Sequence, residues 1–502
     1  MMKRIITTMV AIAVTLSLTA QTRREALLQY QAARQKALTD YASNYRKACE
    51  EFMRKRWEAF NVEEPTQLPE RKEPIAPIVK PEAVPTAPQP ATPNNEGVAA
   101  SQKPKTEVAA SQSENLVGKL PAQGETVALQ PQKPIVTTNP KVDTSRPLKF
   151  MFYNTECSVS FDGSCSINLA SLAENDVASA WQSVASGRFD RIFQECQTLR
   201  KTLNLNDWGY YRLVQTVGDA CFGVSSDKSQ LLQSFLLSEA GFKMRLARGD
   251  GRLRLLVGVE QKVYLRPYFR IGGSLFYLLD GKNKASRFEV CNFAIPGERP
   301  LSLKIKELPN LAYSAGTPVK RVDVRQNIEI TTDVNANLVS FMKDYPPCDW
   351  TVYALTQLSE PTAKLVMPTM QQLIQGKSEQ AAAQSILSFI HNAFPYKADA
   401  QQFGAERTLF AEEVFAYKYS DCEDRSILFA QLVNKLLSLD VVLLHYPEHI
   451  ATAVRFSGNV AGDKVKVGSV DYVVCDPTYV GADVGEAMPE FRNVVAKIVK
   501  ID

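Results

Sequence analysis

The sequence predicts an α+β protein in which two globular domains follow an N-terminal helix and a long linker. Apolar residues recur at helical spacing in several segments, while short alternating or fully apolar runs, bounded by Gly and charged residues, indicate strands. A proline-rich stretch without aromatic residues separates the first helix from the rest of the chain. At 502 residues, of which 45% are hydrophobic, the chain is long enough for two or three domains.

Residues 1–20 have the order of a secretory signal peptide. Lys3 and Arg4 precede an apolar run that extends from Ile5 to Leu18. This run is shorter than the ~20 apolar residues that span a bilayer, and small residues follow it. The pattern predicts export to the periplasm or the exterior, with no transmembrane span after removal of the signal.

Residues 21–60 are predicted to form one charged amphipathic helix, because Leu27, Tyr30, Leu38 and Tyr41 recur roughly at helical spacing. Such an apolar stripe docks either on the protein's own body or on a partner. Residues 61–146 follow without an aromatic residue, and this stretch holds half of the 28 prolines of the chain. That composition predicts a disordered linker between the helix and the globular body.

Residues 147–308 are predicted to form an α+β domain. It begins with a hairpin in LKFMFYNTECSVSFDGSCSINL, where Asp162 and Gly163 resemble a two-residue turn. Helical patterns then extend through Leu199 and recur around residues 231–241, and strands are expected in LRLLVGVE, KVYLRPYFRI and SLFYLLD.

A connecting β segment at residues 309–349 contains strand candidates in VKRVDVRQNIEIT. The last domain, residues 350–502, begins with helices at about 361–376 and 378–394, and Ser378 is the expected N-cap of the second. The first domain contains a pattern parallel to this one at an offset near 196. At that offset Ser226, Leu253 and Asp280 correspond to Cys422, His449 and Asp476, which suggests a degenerate copy of the last domain.

Charge and composition exclude several classes of site. The 58 Lys and Arg residues are spread along the chain and the net charge is only +4, so no basic groove for nucleic acid is expected. With three His residues and no Cys-x-x-Cys pair, a zinc site is not expected, and no metal ligand or cofactor is predicted. The sequence has no EF-hand-type loop, which leaves calcium dependence open because other kinds of site exist.

Cys422 is the candidate nucleophile. Ser420 and Glu423 have the spacing of a capping box, and the apolar residues that follow recur at helical intervals, which places Cys422 in the first turn of a helix. The helix dipole favours a thiolate there, whereas the carboxylates of Asp421, Glu423 and Asp424 oppose it. Activation of the thiol therefore requires a nearby imidazolium.

His449 is the candidate base, because it precedes the β-prone run IATAVRF and follows a proline. His391 lies off the apolar stripe of its helix and is expected to be partly exposed, and His445 is expected to pack at the end of an apolar strand. Asp476 ends the apolar strand YVVC, where its carboxylate can orient an imidazole. An Asp that begins a turn before Pro477 is the alternative interpretation of this residue.

The segments SDCEDRSILFAQLV, EHIATAV and YVVCDPTY occur in the order and setting typical of the transglutaminase-like domains of the papain-like cysteine-enzyme superfamily, and SFIHNAFPYKAD resembles the helix that precedes the family's catalytic region. The resemblance covers residues from about 361 to 485. It implies N-terminal helices, a central antiparallel sheet and a Cys422–His449–Asp476 triad.

This resemblance implies an exported, cysteine-dependent amide hydrolase that acts on a protein or peptide substrate through a thioester acyl-enzyme. The backbone N–H of Cys422 is one candidate oxyanion donor, and the side-chain amide of Gln402 is another. Transfer of the acyl group to an amine is the variant reaction. The alternative function is a catalytically silent protein that uses the same scaffold for binding or envelope assembly.

Overall fold

The structure is a computed structural model that describes residue 29 and residues 43–68, 78–81, 147–280, 285–447 and 449–501. The predicted signal peptide and most of the predicted linker lie outside these residues. The described chain combines helices with antiparallel sheets, which confirms the α+β class. Among the described helices, none has the length and apolar character needed to cross a bilayer.

The first half of the described chain contains the following elements: α1 (residues 43–53), β1 (Glu58–Asn61), β2 (Pro147–Phe152), β3 (Thr155–Ser160), α2 (Glu174–Ala185), α3 (Asp190–Thr202), α4 (Asp207–Phe222), α5 (Asp227–Glu239), β4 (Met244–Gly249), β5 (Arg252–Gly258), β6 (Tyr268–Ile271), β7 (Ser274–Tyr277) and β8 (Arg287–Cys291). One antiparallel sheet has the order β1-β8-β4-β5-β7-β6, and β2 and β3 form a separate hairpin.

The N-terminal region docks on the protein's own body. Tyr45, Cys49 and Met53, spaced one helical turn apart on α1, are all buried. The prediction of one helix through residue 60 is wrong, because β1 pairs with β8 and the chain gains inter-strand hydrogen bonds there. The prediction that residues 61–146 are disordered is also wrong at two places, since 61–68 and 78–81 lie against the body.

The predicted hairpin turn at Asp162 and Gly163 is also wrong. Phe152 pairs with Thr155, so the two residues of the turn are Tyr153 and Asn154. Both have positive φ, at 43° and 56°, as a type I′ turn requires. Asn adopts this conformation readily, whereas the Asp-Gly signal belongs to a separate turn after β3.

The second half contains β9 (Val319–Asp323), β10 (Ile328–Thr332), α6 (Ala336–Lys343), α7 (Trp350–Leu355), α8 (Glu360–Ile374), α9 (Glu379–Ala393), α10 (Asp399–Gln402), α11 (Ala411–Ala416), α12 (Cys422–Leu437), β11 (Asp440–Tyr446), β12 (His449–Arg455), β13 (Lys464–Val467), β14 (Val470–Cys475) and β15 (Lys497–Lys500). The predicted strands of the connecting segment are confirmed as the hairpin β9-β10. Ser378 caps α9 as predicted, since its side chain accepts a hydrogen bond from the N–H of Ala381.

The two sheets share one topology. The second sheet has the order β13-β14-β12-β11-β15, and the first contains the corresponding series β6-β7-β5-β4-β8 with the same antiparallel pairings. In each domain a helix, α5 or α12, directly precedes the sheet and packs against its two central strands. Ser226 is the N-cap of α5 and Leu253 is the second residue of β5, each within one position of the settings of Cys422 and His449 in the second domain. This agreement supports the predicted degenerate copy.

Candidate active site

Cys422 is the first residue of α12, and Asp421 occupies the N-cap position. The predicted N-cap at Ser420 is therefore displaced by one residue to Asp421. Asp424, at the third helical position, accepts a hydrogen bond from the N–H of Asp421 at 3.4 Å. The thiol lies at the N-terminal end of a helix of 16 residues, where the backbone N–H groups have no partners within the helix.

Packing of α12 on the sheet brings Cys422 to the start of β12. Ser426 lies one helical turn after Cys422 on the same face, and its hydroxyl donates to the carbonyl oxygen of Ile450 at 3.0 Å. Ile450 follows His449, the first residue of β12. The helix face that carries the thiol is thus directed at the strand end that carries the imidazole.

His449 and Asp476 form a buried hydrogen-bonded pair. Nε2 of His449 lies 2.9 Å from Oδ2 of Asp476, and both side chains are 2% exposed. The other carboxylate oxygen accepts hydrogen bonds from the backbone N–H groups of Thr478 and Tyr479, at 2.9 and 3.2 Å. Burial alone raises the pKa of Asp476, but His449 and the two N–H donors outweigh it and lower this pKa below its ordinary value.

This pairing fixes the chemistry of the imidazole. An ionised Asp476 accepts the proton on Nε2, so the neutral ring carries its hydrogen there and leaves Nδ1 to exchange a proton with a thiol. The same carboxylate would stabilise positive charge on the ring.

His391 contacts the main chain of Asp476. It is buried, so the prediction of a partly exposed residue is wrong. It is 8% exposed, and its Nε2 lies 2.8 Å from the backbone carbonyl oxygen of Asp476. Its Nδ1 accepts a hydrogen bond from the N–H of Gly481 at 3.4 Å. Burial lowers the pKa of His391, which keeps the ring neutral with its proton on Nε2.

Three carboxylates cluster beside the thiol. Asp399, Asp421 and Glu423 are buried, and one carboxylate oxygen from each lies within 4.8 Å of the others. Within the described chain, neither oxygen of Asp421 accepts a hydrogen bond from a neighbouring N–H or hydroxyl group. Burial, together with the charges of Glu423, Asp424 and Asp399, raises the pKa of Asp421 well above its ordinary value.

These three carboxylates are the residues that could hold a metal ion. Oxygen-only ligand sets suit hard cations, and ligands on opposite sides of Ca²⁺ lie about 4.8 Å apart because each Ca–O distance is about 2.4 Å. A divalent cation here would offset the negative charge on both sides of Cys422. The sequence analysis predicted no metal ligand, and it treated Asp421 and Glu423 only as charges that oppose ionisation of the thiol.

The immediate surroundings of the thiol combine opposite charges. The Cys422 sulfur lies 3.5 Å from Oε2 of Glu423. Arg425, on the next turn, is 1% exposed, and its guanidinium donates to the carbonyl oxygens of Phe394 and, at 3.4 Å, Pro477. Burial lowers the pKa of Arg425 to about 10, and the guanidinium remains charged at neutral pH beside the acidic groups.

The triad is closed to solvent, since Cys422 is 0% exposed and His449 is 2% exposed. The ring of Phe491 stacks on His449 with a centroid distance of 5.2 Å and an interplanar angle of 18°. Tyr446 stacks on the same phenyl ring at 4.9 Å. Exposure of the thiol to solvent would require this aromatic cover or a neighbouring loop to move.

A cavity of about 440 Å³ lies near the acidic cluster, and its volume falls within the range of small-molecule sites. Arg407 lines it and donates its backbone N–H to the Asp399 carboxylate at 2.6 Å, which connects the cavity wall to the cluster. Arg266 and Lys343 add positive charge and Glu406 adds negative charge, and the lining includes four aromatic side chains: Tyr345, Tyr353, Phe403 and Tyr417.

Gln402 ends α10, and its side-chain amide lies 3.5 Å from the carbonyl oxygen of Tyr419, three residues before Cys422. The predicted oxyanion role of Gln402 stays a prediction. The connecting hairpin holds the same loop, because the fully buried Arg321 of β9 donates to the carbonyl oxygens of Val414, at 2.7 Å, and Lys418, at 2.9 Å.

Comparison of the chain with models of known protein families, with curated proteins and with solved structures found no match.

Sequence reasoning missed His391, Phe491 and the metal-binding potential of Asp399. His391 and Asp476 are 85 residues apart, and no local pattern links them. The acidic residues around Cys422 were visible in the sequence, but Asp399 joins them only through the fold. A signal existed for His391 in its apolar neighbours Phe389, Ile390 and Phe394.

Proposed function

We propose that the protein is a cysteine-dependent amide hydrolase in which Cys422 is the nucleophile, His449 the base and Asp476 the group that orients the imidazole. The observation that carries the proposal is the buried hydrogen bond of 2.9 Å between His449 and Asp476, on a strand end directed at the helix terminus that bears Cys422. An ionised carboxylate of this kind is costly to bury without a chemical role.

In the proposed reaction His449 accepts the thiol proton at Nδ1, and the sulfur attacks an amide carbonyl carbon. The tetrahedral oxyanion is stabilised by the backbone N–H of Cys422 at the helix start, with Gln402 as the second candidate donor. The C–N bond then breaks, and the imidazolium returns its proton to the leaving amine. Water hydrolyses the resulting thioester with His449 as the base, which releases the carboxylate product and restores the thiol.

The remaining eight cysteines provide internal controls, since none of the nine, all of which lie within the described residues, forms a disulfide. Burial raises the pKa of Cys475, which immediately precedes Asp476 and is 0% exposed like Cys422. Cys475 is therefore as deeply buried as Cys422 and lies beside the site, but it does not lie at a helix terminus. Burial also raises the pKa of Cys196, Cys291 and Cys348.

The test measures alkylation of each cysteine by iodoacetamide at pH 7 with mass spectrometry. We expect Cys422 to react at least about 10-fold faster than Cys475, and His449→Ala to remove this difference. Equal rates at Cys422 and Cys475 in the wild-type protein would contradict the proposal. Release of free amine or new peptide termini from a mixed peptide substrate, absent in Cys422→Ser, then assays the hydrolysis itself.

A second candidate function is a silent binding or assembly protein. The complete burial of Cys422, together with its contact to Glu423, favours this alternative, because a substrate has no open path to the sulfur. Uniformly slow alkylation of all nine thiols, together with a folded protein, would favour the binding function.

A further inference from the structure

Residues 78–81 lie within the predicted linker, yet they form a strand-like contact with the loop that follows Asp476. We call these residues the strap. The N–H of Val480 donates to the carbonyl oxygen of Ile78 at 2.8 Å, and the N–H of Lys80 donates to the carbonyl oxygen of Val480 at 2.9 Å. The pairing is a parallel bridge between Val79 and Val480.

Side chains of the strap add two anchors to this bridge. Lys80 Nζ lies 2.7 Å from both carboxylate oxygens of Glu486 and 3.8 Å from Asp483. Ile78 packs against the apolar cluster of Tyr479, Ala482 and Met488, whereas Val79 is 63% exposed. The surface of residues 479–486 thus fits an extended segment in which an apolar residue and a lysine flank one exposed position.

The bridged loop is the one that supports the proposed catalytic carboxylate. Val480 lies between Tyr479, whose N–H donates to Asp476, and Gly481, whose N–H donates to His391. Phe491, which stacks on His449, packs against the same apolar cluster as Ile78. Docking of the strap therefore restrains both the hydrogen-bond donors of Asp476 and the aromatic cover of His449.

We propose that the strap is a positioning element for Asp476: the chain's own linker occupies the surface of residues 479–486 and holds the loop that orders the His449–Asp476 pair. This inference rests on the proposed role of Asp476, but the docking of the strap and its effect on the loop are independent of catalysis. The strap is then a part of the site, and its position determines how well ordered the His449–Asp476 pair is.

The test uses charge reversal in the full-length protein. Lys80→Glu places two carboxylates together and releases the strap, and the double variant Lys80→Glu/Glu486→Lys restores the ion pair with opposite polarity. Lys149→Glu is the matched control, since Lys149 forms an exposed pair with Glu156 at 2.9 Å that lies outside the site.

Two readouts separate docking from positioning. Amide hydrogen exchange of residues 478–481 reports docking, and we expect it to accelerate by at least about 5-fold in Lys80→Glu and to return in the double variant. The ring N–H resonance of His449, in protein labelled with ¹⁵N-histidine, reports positioning. We expect this resonance to broaden in Lys80→Glu, to recover in the double variant and to remain unchanged in Lys149→Glu.

Unchanged amide exchange in Lys80→Glu would overturn the strap as a docked element. Faster exchange with an unchanged His449 resonance would overturn its positioning role. Neither readout requires activity, so slow alkylation of Cys422 in the wild-type protein would reject the proposed function without affecting the result for the strap.

Discussion

The Nε2 atom of His391 lies 2.8 Å from the backbone carbonyl oxygen of Asp476, and the side chain of that aspartate in turn holds His449. His391 lies on α9, which precedes Cys422 in the chain. This helix thus fixes the position of Asp476 through the main-chain carbonyl group of that aspartate. Because Gly481 donates to the other ring nitrogen of His391, both ends of the loop after β14 are attached to one imidazole.

Replacement of this imidazole should loosen the triad and destabilise the fold. His391→Ala leaves a buried carbonyl and a buried N–H without their partner and opens a cavity, so we expect a loss of roughly 2–4 kcal/mol in the free energy of unfolding, measured by urea denaturation. His445→Ala is the control, because that ring packs edge-on against Trp350 away from the triad. A loss no larger than in His445→Ala would show that the contact to Asp476 adds little stability.

Neutralising the orienting carboxylate should reduce the reactivity of the thiol. In Asp476→Asn the imidazole loses the negative charge that fixes its tautomer, and we expect alkylation of Cys422 at pH 7 to slow by about 10-fold or more. Asp471→Asn serves as the control, since Asp471 belongs to the same strand but pairs with Lys466 at the surface. An equal rate in both variants would reject the proposed role of Asp476.

The buried acidic cluster should respond to divalent cations. After treatment with EDTA, we expect Ca²⁺ or Mn²⁺ to raise the melting temperature of the wild-type protein, because three buried carboxylates lose mutual repulsion when a cation binds. Asp399→Asn and Asp421→Asn should abolish this response, whereas Glu412→Gln should retain it, since Glu412 is buried but bonds to Ser359 and Thr362. No response in the wild-type protein, and no bound metal by elemental analysis, would show that protons alone neutralise the cluster.

Glu413 should make stability depend on pH. Burial raises the pKa of Glu413 to about 7, although Arg407 and the N–H of Phe410 oppose this shift. The folded protein then binds a proton that the unfolded chain releases near pH 4.5, so stability falls as the pH rises through this window, by roughly 3 kcal/mol in total. Glu413→Gln should flatten the dependence when the free energy of unfolding is measured between pH 4.5 and 8, and the exposed Glu360→Gln should leave it unchanged.

A close approach of two backbone segments should make one glycine irreplaceable. Gly462 has a φ of +117°, and a Cβ atom there would lie 2.4 Å from the carbonyl oxygen of Gly485, at the turn that presents Glu486 to the strap. We expect Gly462→Ala to cost roughly 2–4 kcal/mol in the free energy of unfolding, because backbone atoms cannot yield as a flexible side chain can. Gly458→Ala is the matched control, since nothing lies within 4 Å of its Cβ position.

The sequence predicted the local structure around each candidate site residue, because helix starts and strand ends depend on short-range patterns. Cys422 begins a helix, His449 begins a strand and Asp476 follows one, as apolar periodicity and flanking residues predicted. The predicted N-cap of α12 was wrong by one residue. Ser420 and Asp421 have a similar intrinsic preference for the N-cap position, and the fold places Asp421 there. Helix α4 was not predicted, since its aromatic and β-branched residues have weak helix propensity and only packing stabilises it.

What the sequence by itself determined was therefore the α+β class, the order of elements around the site and the identity of three chemically suited residues. The tertiary structure alone decided which side chains meet. The contacts of His391 with Asp476, of Asp399 with the acidic residues around Cys422, and of the strap with the loop after Asp476 join positions that are remote along the chain. Short-range periodicity carries no information about such contacts, because they arise when elements that are remote in sequence pack and bury their polar groups together.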